Sequence, residues 1–170
     1  MKLYLVRHGE AVEGCRGISE ASRYLSPSGR DAFRKTARRL KREGVSPDCI
    51  VTSPLVRAVQ TAEILAQTLK YEGELVVAEE LGPGFGLPQL ESLRRRYGSS
   101  RELVLVGHEP DLGILAASLM ATRECISLKK GAVLSLKLAP RDVKAPALLR
   151  WLLVGTKLKT DLAQIIHYEG

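Results

Sequence analysis

Short apolar segments alternate with longer amphipathic ones, and this alternation constrains the fold more than any other feature of the chain. The short segments have the length of buried strands and span residues 2–6, 48–52, 74–77 and 102–106. Helical spacing of apolar residues predicts helices over residues 26–44, from Pro54 onward, over 87–97 and from Pro110 to about Met120. Strands that alternate with helices form parallel sheets with right-handed crossovers. The sequence therefore predicts an α/β fold, a three-layer sandwich whose mainly parallel central sheet is flanked by helices.

The last forty residues follow a different pattern. Residues 131–138 and 147–154 read as two strands joined across the turn signal Pro140-Arg141-Asp142. Residues 157–170 read as amphipathic or frayed. No internal repeat, low-complexity segment or linker interrupts the chain, so residues 1–170 are expected to form one domain, the usual number for this length.

Cysteine usage and the first residues indicate the compartment. Cys15, Cys49 and Cys125 are odd in number and have no CxxC spacing, which argues against a disulfide scaffold and a structural zinc site and favours the reducing cytoplasm. Cys49 lies in an apolar run and is expected to be buried. The apolar stretch before Arg7 is too short for a signal peptide, and no run is long enough to span a membrane.

Basic residues exceed acidic ones, giving a formal net charge of +7, and many of them lie on one helix between residues 30 and 42. The basic face of this helix either is simply solvated or steers an acidic partner. Aromatic residues make up only 5% of the chain, too few to stack bases between these cations. We therefore expect neither a nucleic-acid partner nor a membrane partner.

Charged side chains follow each of the first four predicted strands. In a parallel sheet, loops at the carboxyl ends of the strands gather at one edge, where ligands bind. Four of these side chains are suited to one phosphate dianion, because arginine offers a planar fork of donors and histidine acts as donor or nucleophile near neutral pH; they are Arg7, His8, Arg57 and His108. Structural histidines and a metal site remain open alternatives, although two arginines would repel a divalent ion.

Three motifs connect these residues to a known family. Residues 5–10 (Leu-Val-Arg-His-Gly-Glu), 52–62 and 106–110 (Val-Gly-His-Glu-Pro) resemble, in order and spacing, the signatures of the histidine phosphatase superfamily, which includes the phosphoglycerate mutases. Residues 25–29, 80–83 and 131–136 are similar to the short SixA-like phosphohistidine phosphatases. The resemblance implies a phosphoglycerate mutase-like fold in its short form, without a large lid over the site.

The resemblance also implies roles for individual residues. His8 would be the nucleophile that carries the phosphoryl group. Arg7, Arg57 and His108 would bind its oxygens, without a metal or any other cofactor, and Gly9 would let the backbone approach the phosphate. The residue that matches the family's general acid is Glu80; Glu109 and Glu10 are alternatives, and each of the three is also a candidate ion-pair partner of the arginines.

The implied function is hydrolysis of phosphohistidine on a protein, because a short chain leaves the site open to a side chain on a protein surface. An imidazole leaves more easily than an alkoxide, so a weakly defined acid suffices. A sugar-phosphate or general phosphomonoesterase is the enzymatic alternative, and a phosphoprotein-binding module without turnover is the non-enzymatic one. The expected partner is a phosphorylated protein, with small phosphate esters as further substrates, and the expected state is a monomer or weak dimer.

Overall fold

A seven-stranded sheet runs through the computed structural model, which describes residues 1–14, 17–140 and 143–166. The strands are β1 (Lys2–Arg7), β2 (Cys49–Thr52), β3 (Leu75–Val77), β4 (Glu102–Gly107), β5 (Val133–Lys137), β6 (Leu148–Val154) and β7 (Lys157–Lys159). Their order is β3-β2-β4-β1-β5-β6-β7. The first four are parallel, and the remaining pairings are antiparallel.

Helices cover both faces of the sheet. They are α1 (Pro27–Arg42), α2 (Val56–Leu69), α3 (Leu87–Arg96), α4 (Asp111–Leu119) and the short α5 (Leu162–Ile166), with a 3₁₀ turn at Glu79–Leu81. Alternate residues of β1 face opposite sides of the sheet. Tyr4 therefore packs with α1 and α2, whereas Leu3 packs with α3 and α4. The predicted three-layer α/β sandwich is confirmed.

The loop after β1 is attached to the beginning of α1. The Ser26 side chain accepts a hydrogen bond from the Gly29 backbone N–H and caps the helix, and Pro27 occupies its first turn. The Glu10 carbonyl accepts the Ser26 N–H at 3.0 Å. A Cβ at Gly29 would lie 2.1 Å from that carbonyl oxygen, so only glycine permits this approach. The attachment fixes the chain that leaves the carboxyl end of β1.

The C-terminal region is more ordered than the sequence pattern indicates. The prediction that residue 157 onward is amphipathic or frayed missed β7, which pairs antiparallel with β6 across a turn at Gly155, whose φ is +59°. Ile165 of α5 is buried as well. The predicted strands 131–138 and 147–154 are confirmed with slightly tighter bounds, whereas Arg141 and Asp142 of the predicted turn and residues 167–170 lie outside the described residues.

The structure also bears on the predictions made for the cysteines and for membrane-spanning segments. Cys49 is buried, as expected, whereas Cys125 is exposed; Cys15 lies outside the described residues. Within the described ranges, no helix combines the length and apolar character that crossing a membrane requires.

Candidate active site

The central strands place the two histidines side by side. β1 pairs in parallel with β4 so that Arg7 lies opposite Gly107, and His8 and His108 follow at equivalent positions. Their ring centroids are 5.2 Å apart, and the rings are tilted by 55°. β2 flanks β4 and delivers Ser53 to the same edge. Strand order, rather than sequence proximity, therefore assembles the site.

The His8 ring is held in one orientation and one tautomer. Its Nδ1 lies 2.7 Å from the Gly9 carbonyl oxygen, which only accepts hydrogen bonds, so Nδ1 carries the proton. Its Nε2 lies 3.2 Å from Nε of Arg57, which only donates, so Nε2 presents a lone pair. His8 is buried. This is the arrangement that a nucleophilic imidazole needs.

The surroundings of His8 keep the ring neutral. Burial is the main cause that lowers its pKa to about 3, and the positive charges of Arg57 and Arg7 act in the same direction. The hydrogen bond to the Gly9 carbonyl acts in the opposite direction, and its effect on the pKa is second in size to that of burial. At neutral pH Nε2 therefore carries a lone pair without a general base to remove a proton, and this lone pair accepts the Arg57 Nε–H.

His108 is also buried and neutral. Its Nε2 lies 2.7 Å from the Ser53 hydroxyl, which accepts the Leu55 backbone N–H and thus keeps its own proton free to donate. Burial, followed by the charge of Arg57, lowers the pKa of His108 to about 4. Its Nδ1 is buried without a hydrogen-bond partner among the described residues, an exception of the kind that marks functional sites.

Arg57 carries the main cationic group of the site and is already engaged by an acidic residue. Its Nη1 donates to the Glu20 carbonyl at 2.7 Å, and its Nη2 lies 3.0 Å from the Glu20 carboxylate. Glu20 is exposed and also pairs with Arg23, whose hydrogen bond is the main cause that lowers the Glu20 pKa. The carboxylate therefore occupies a donor of Arg57 that a phosphate oxygen would use.

Two further contacts position the backbone around His8. The Gly9 N–H donates to the Thr61 hydroxyl at 3.1 Å, and that hydroxyl donates to the Arg57 carbonyl. A Cβ at Gly9 would lie 3.2 Å from the Leu25 side chain, which gives a packing reason for glycine at this position. Arg7 donates through Nη1 to the Leu128 carbonyl at 2.7 Å.

Residues 3–82 match the family model of the histidine phosphatase superfamily, branch 1. The phosphohistidine phosphatase SixA of Escherichia coli K12 is 30% identical over 123 residues, which cover 70% of this chain and 74% of that protein. This chain belongs to the histidine phosphatase superfamily. An uncharacterised protein of Picosynechococcus is 34% identical over 149 residues, 85% of this chain and 90% of its own. A structure of SixA with tungstate superposes with a TM-score of 0.81 at 24% identity, covering 91% of this chain and 97% of that one.

The three acid candidates of this SixA-like phosphatase differ in their contacts. Glu80 pairs with Arg96, and a hydrogen bond from its own backbone N–H, together with Arg96, lowers its pKa. Glu10 pairs with Lys130 at 2.6 Å. Glu109 is largely buried with Oε1 unpaired among the described residues, and burial raises its pKa. The contacts of Glu80 do not support a proton donor, and none of the three hydrogen-bonds to His8 or His108.

A 420 Å³ cavity adjoins the histidine phosphatase site. It is lined by Ala21, Pro54, Leu55, Glu79, Gly82 and Pro83. Ala21 follows Glu20, the partner of Arg57, and Pro54 follows Ser53, the partner of His108, so the cavity lies near residues that contact Arg57 and His108. Among the described residues that line it, most are apolar and Glu79 is the one acidic residue. The cavity has room for the group to which a phosphoryl is attached.

Several residues of the site were absent from the sequence-based set. Glu20, Arg23, Ser53, Thr61 and Glu79 are the additions. Ser53 and Thr61 lie within the segment 52–62 that resembles the second family motif, so the signal for them was present but carried no role. Glu20 and Arg23 lie in the loop before α1, where no pattern marks them.

The donor set suits an anion. Among the described residues, no three side chains of histidine, cysteine, aspartate or glutamate are grouped to hold a metal ion. The charged groups around His8 are instead two arginines, which offer forked donors to phosphate oxygens. The arrangement can bind a phosphoryl group and present a neutral imidazole to its phosphorus atom.

Proposed function

We propose that this phosphatase hydrolyses phosphohistidine on a protein, by way of a covalent phosphoryl group on His8 and without a metal. The observation that carries the proposal is the fixed tautomer of His8, with its Nε2 lone pair directed at Arg57 and its Nδ1 bonded to the Gly9 carbonyl. A binding module needs no such nucleophile. The relative SixA, which is named a phosphohistidine phosphatase, supports the same substrate class.

In the first step, His8 Nε2 attacks the phosphorus atom while the bond from phosphorus to the substrate nitrogen breaks. The electron pair of that bond goes to the substrate nitrogen, and the ring leaves as neutral imidazole because its other nitrogen already carries a proton. Arg57, Arg7 and His108 hold the three equatorial oxygens, and phosphate displaces Glu20 from Arg57. Positioning and charge stabilisation supply most of the rate in such transfers.

In the second step, water attacks the phosphorus atom of phosphorylated His8. The bond between phosphorus and Nε2 breaks, inorganic phosphate leaves, and the neutral ring is restored with its proton still on Nδ1. The Gly9 carbonyl holds that proton in both steps, so the ring does not rotate between attack and release. Glu20 then returns to Arg57.

The ionised state of Glu80, the residue that matches the family's general acid, favours an imidazole leaving group over an alkoxide. Free imidazole is protonated with a pKa of about 6.5, so it departs with little help, whereas an alkoxide depends on a general acid worth roughly 10²–10⁴-fold. Glu80 is paired with Arg96 and held ionised. The apolar cavity beside the site accommodates an imidazole ring, and Glu79 in its wall can accept the second ring N–H.

The test compares substrates and traps the intermediate. Without added metal, kcat/KM for a phosphohistidine peptide is expected to exceed that for para-nitrophenyl phosphate and for a hexose phosphate. Rapid quenching with labelled substrate should leave acid-labile, base-stable label on His8. His8→Asn is expected to lose roughly a thousandfold or more in kcat/KM.

The third histidine of the chain provides the matched control. His167→Asn removes one imidazole by the same substitution and is expected to leave activity and labelling unchanged. Label on a serine or cysteine, or full activity of His8→Asn, would contradict the covalent mechanism. A preference for the hexose phosphate would contradict the substrate while leaving the nucleophile intact.

A further inference from the structure

A basic cavity lies at the opposite edge of the sheet. It has a volume of 590 Å³ and is lined by Met1, Lys2, Arg94, Gly98, Ser99, Ser100, Arg101, Lys137, Ala139, Pro140 and Arg150. Lys2 begins β1, whereas Arg7 of the phosphatase site ends it. Five residue steps along a strand span about 16 Å, so the cavity is separate from the catalytic edge.

The charges of this cavity are unbalanced. Among the described residues that line it, five have cationic side chains and none has an acidic one. Three of these cations have carboxylate partners just outside the cavity: Glu102 pairs with Lys2, Glu91 with Arg94 and Asp48 with Arg101. Lys137 and Arg150 have no carboxylate partner among the described residues. Five cations minus three carboxylates leave a surplus of two positive charges, which matches a phosphate monoester dianion.

Two of the five cationic side chains, Arg94 and Arg150, are held by contacts within the fold, whereas Arg101 and Lys137 are exposed. Arg94 is nine-tenths buried, donates to Glu91 and to the Ala139 carbonyl, and keeps its Nε unpaired among the described residues. Arg150 donates to the Ser135 hydroxyl at 3.3 Å. Held groups of this kind lose little conformational entropy when a ligand binds.

The volume and the lining of this cavity indicate a ligand larger than inorganic phosphate. A water molecule takes up about 30 Å³, so the cavity has the volume of roughly twenty waters, far more than a single phosphate ion fills. Its volume lies within the usual range of small-molecule sites. Met1, Ala139 and Pro140 offer an apolar wall, and Ser99 and Ser100 offer hydroxyls. A ligand that combines an apolar ring with a phosphate satisfies both halves of the lining.

We propose that this basic cavity is a second anion site that binds a nucleoside phosphate. The phosphate lies among Lys2, Lys137 and Arg150, and the base lies against the apolar wall. The site is independent of the catalytic one, because it shares none of its side chains.

The test is calorimetric titration with the 5′-phosphonate analogue of AMP, a dianion whose carbon–phosphorus bond resists hydrolysis. The double variant Arg101→Glu/Lys137→Glu changes two exposed side chains of the cavity. It is expected to weaken binding by at least about tenfold, the effect of losing one charge-assisted contact. Arg38→Glu/Lys41→Glu changes the net charge equally on the exposed face of α1 and is expected to leave binding within about twofold of the original protein.

Arg57→Ala separates the two sites, because it removes a phosphate contact of the catalytic edge alone and is expected to leave this binding unchanged. Equal weakening by both double variants, loss of binding in Arg57→Ala, or no binding to the unmodified protein at millimolar ligand overturns the proposal. Equal affinity for inorganic phosphate or for adenosine also overturns it. Retained circular dichroism of the double variants shows that a loss of binding is not a loss of fold.

Discussion

Lowering the pH from 7.5 to 5.5, in buffer free of phosphate and other oxyanions, is expected to destabilise the fold while His8 stays neutral. Burial lowers the pKa of His8 to about 3 and that of His108 to about 4. The unfolded chain carries histidines with a pKa near 6.5, so between these values it binds more protons than the folded protein. Stability is therefore fully present above pH 6.5 and falls as the pH drops toward the folded-state values.

The size of this effect follows from proton linkage. At pH 5.5 an unfolded histidine is protonated about ten to one, whereas both buried rings remain almost entirely neutral in the folded protein. Each ring therefore removes about 1.4 kcal/mol from the free energy of unfolding, and the pair removes about 3 kcal/mol. A domain of ordinary stability, about 5–15 kcal/mol, loses a substantial part of it.

Urea unfolding at pH 7.5 and at 5.5 measures the loss. The double variant His8→Asn/His108→Asn is expected to lose about 3 kcal/mol less than the unmodified protein over this interval, because it lacks both rings. His167→Asn is the matched control for a single histidine. The reasoning is refuted if the unmodified protein and the double variant lose the same free energy of unfolding, or if ¹⁵N resonances of His8 titrate near pH 6.5.

Three substitutions test individual contacts of the site. Glu20→Gln frees the Arg57 donors, so KM for para-nitrophenyl phosphate is expected to fall by roughly threefold with little change in kcat; a higher KM would show that the carboxylate positions Arg57 instead. Ser53→Ala removes the hydroxyl that holds His108 and is expected to lower kcat/KM by roughly tenfold, with partial recovery in Ser53→Thr; an unchanged rate would exclude this positioning role. Glu80→Gln is expected to change phosphohistidine hydrolysis by less than about threefold, and a loss of about a hundredfold or more would restore the general acid role.

The architecture and the catalytic motifs could be read from the sequence because both depend on local pattern. Runs of apolar residues with the length of a buried strand, followed by helical periodicity, specify strands and crossover helices. The carboxyl ends of parallel strands share one edge, so Arg7, His8 and His108 could be placed together without coordinates. The sequence analysis did not predict β7, because a three-residue strand forms only when β6 is present to pair with it.

The contacts that set the chemistry were decided by tertiary structure. Glu20 reaches Arg57 from 37 positions away, and Ser53 reaches His108 from 55 positions away. The periodic spacing of apolar residues does not predict such pairs, because they depend on the conformations that the loops adopt against the folded sheet. The direction of Glu80 toward Arg96 and the low pKa of His8 likewise follow from packing and burial. The sequence by itself determined which groups gather at the catalytic edge, and the tertiary structure decided which are buried, neutral or already paired, because burial and pairing arise only once distant segments meet.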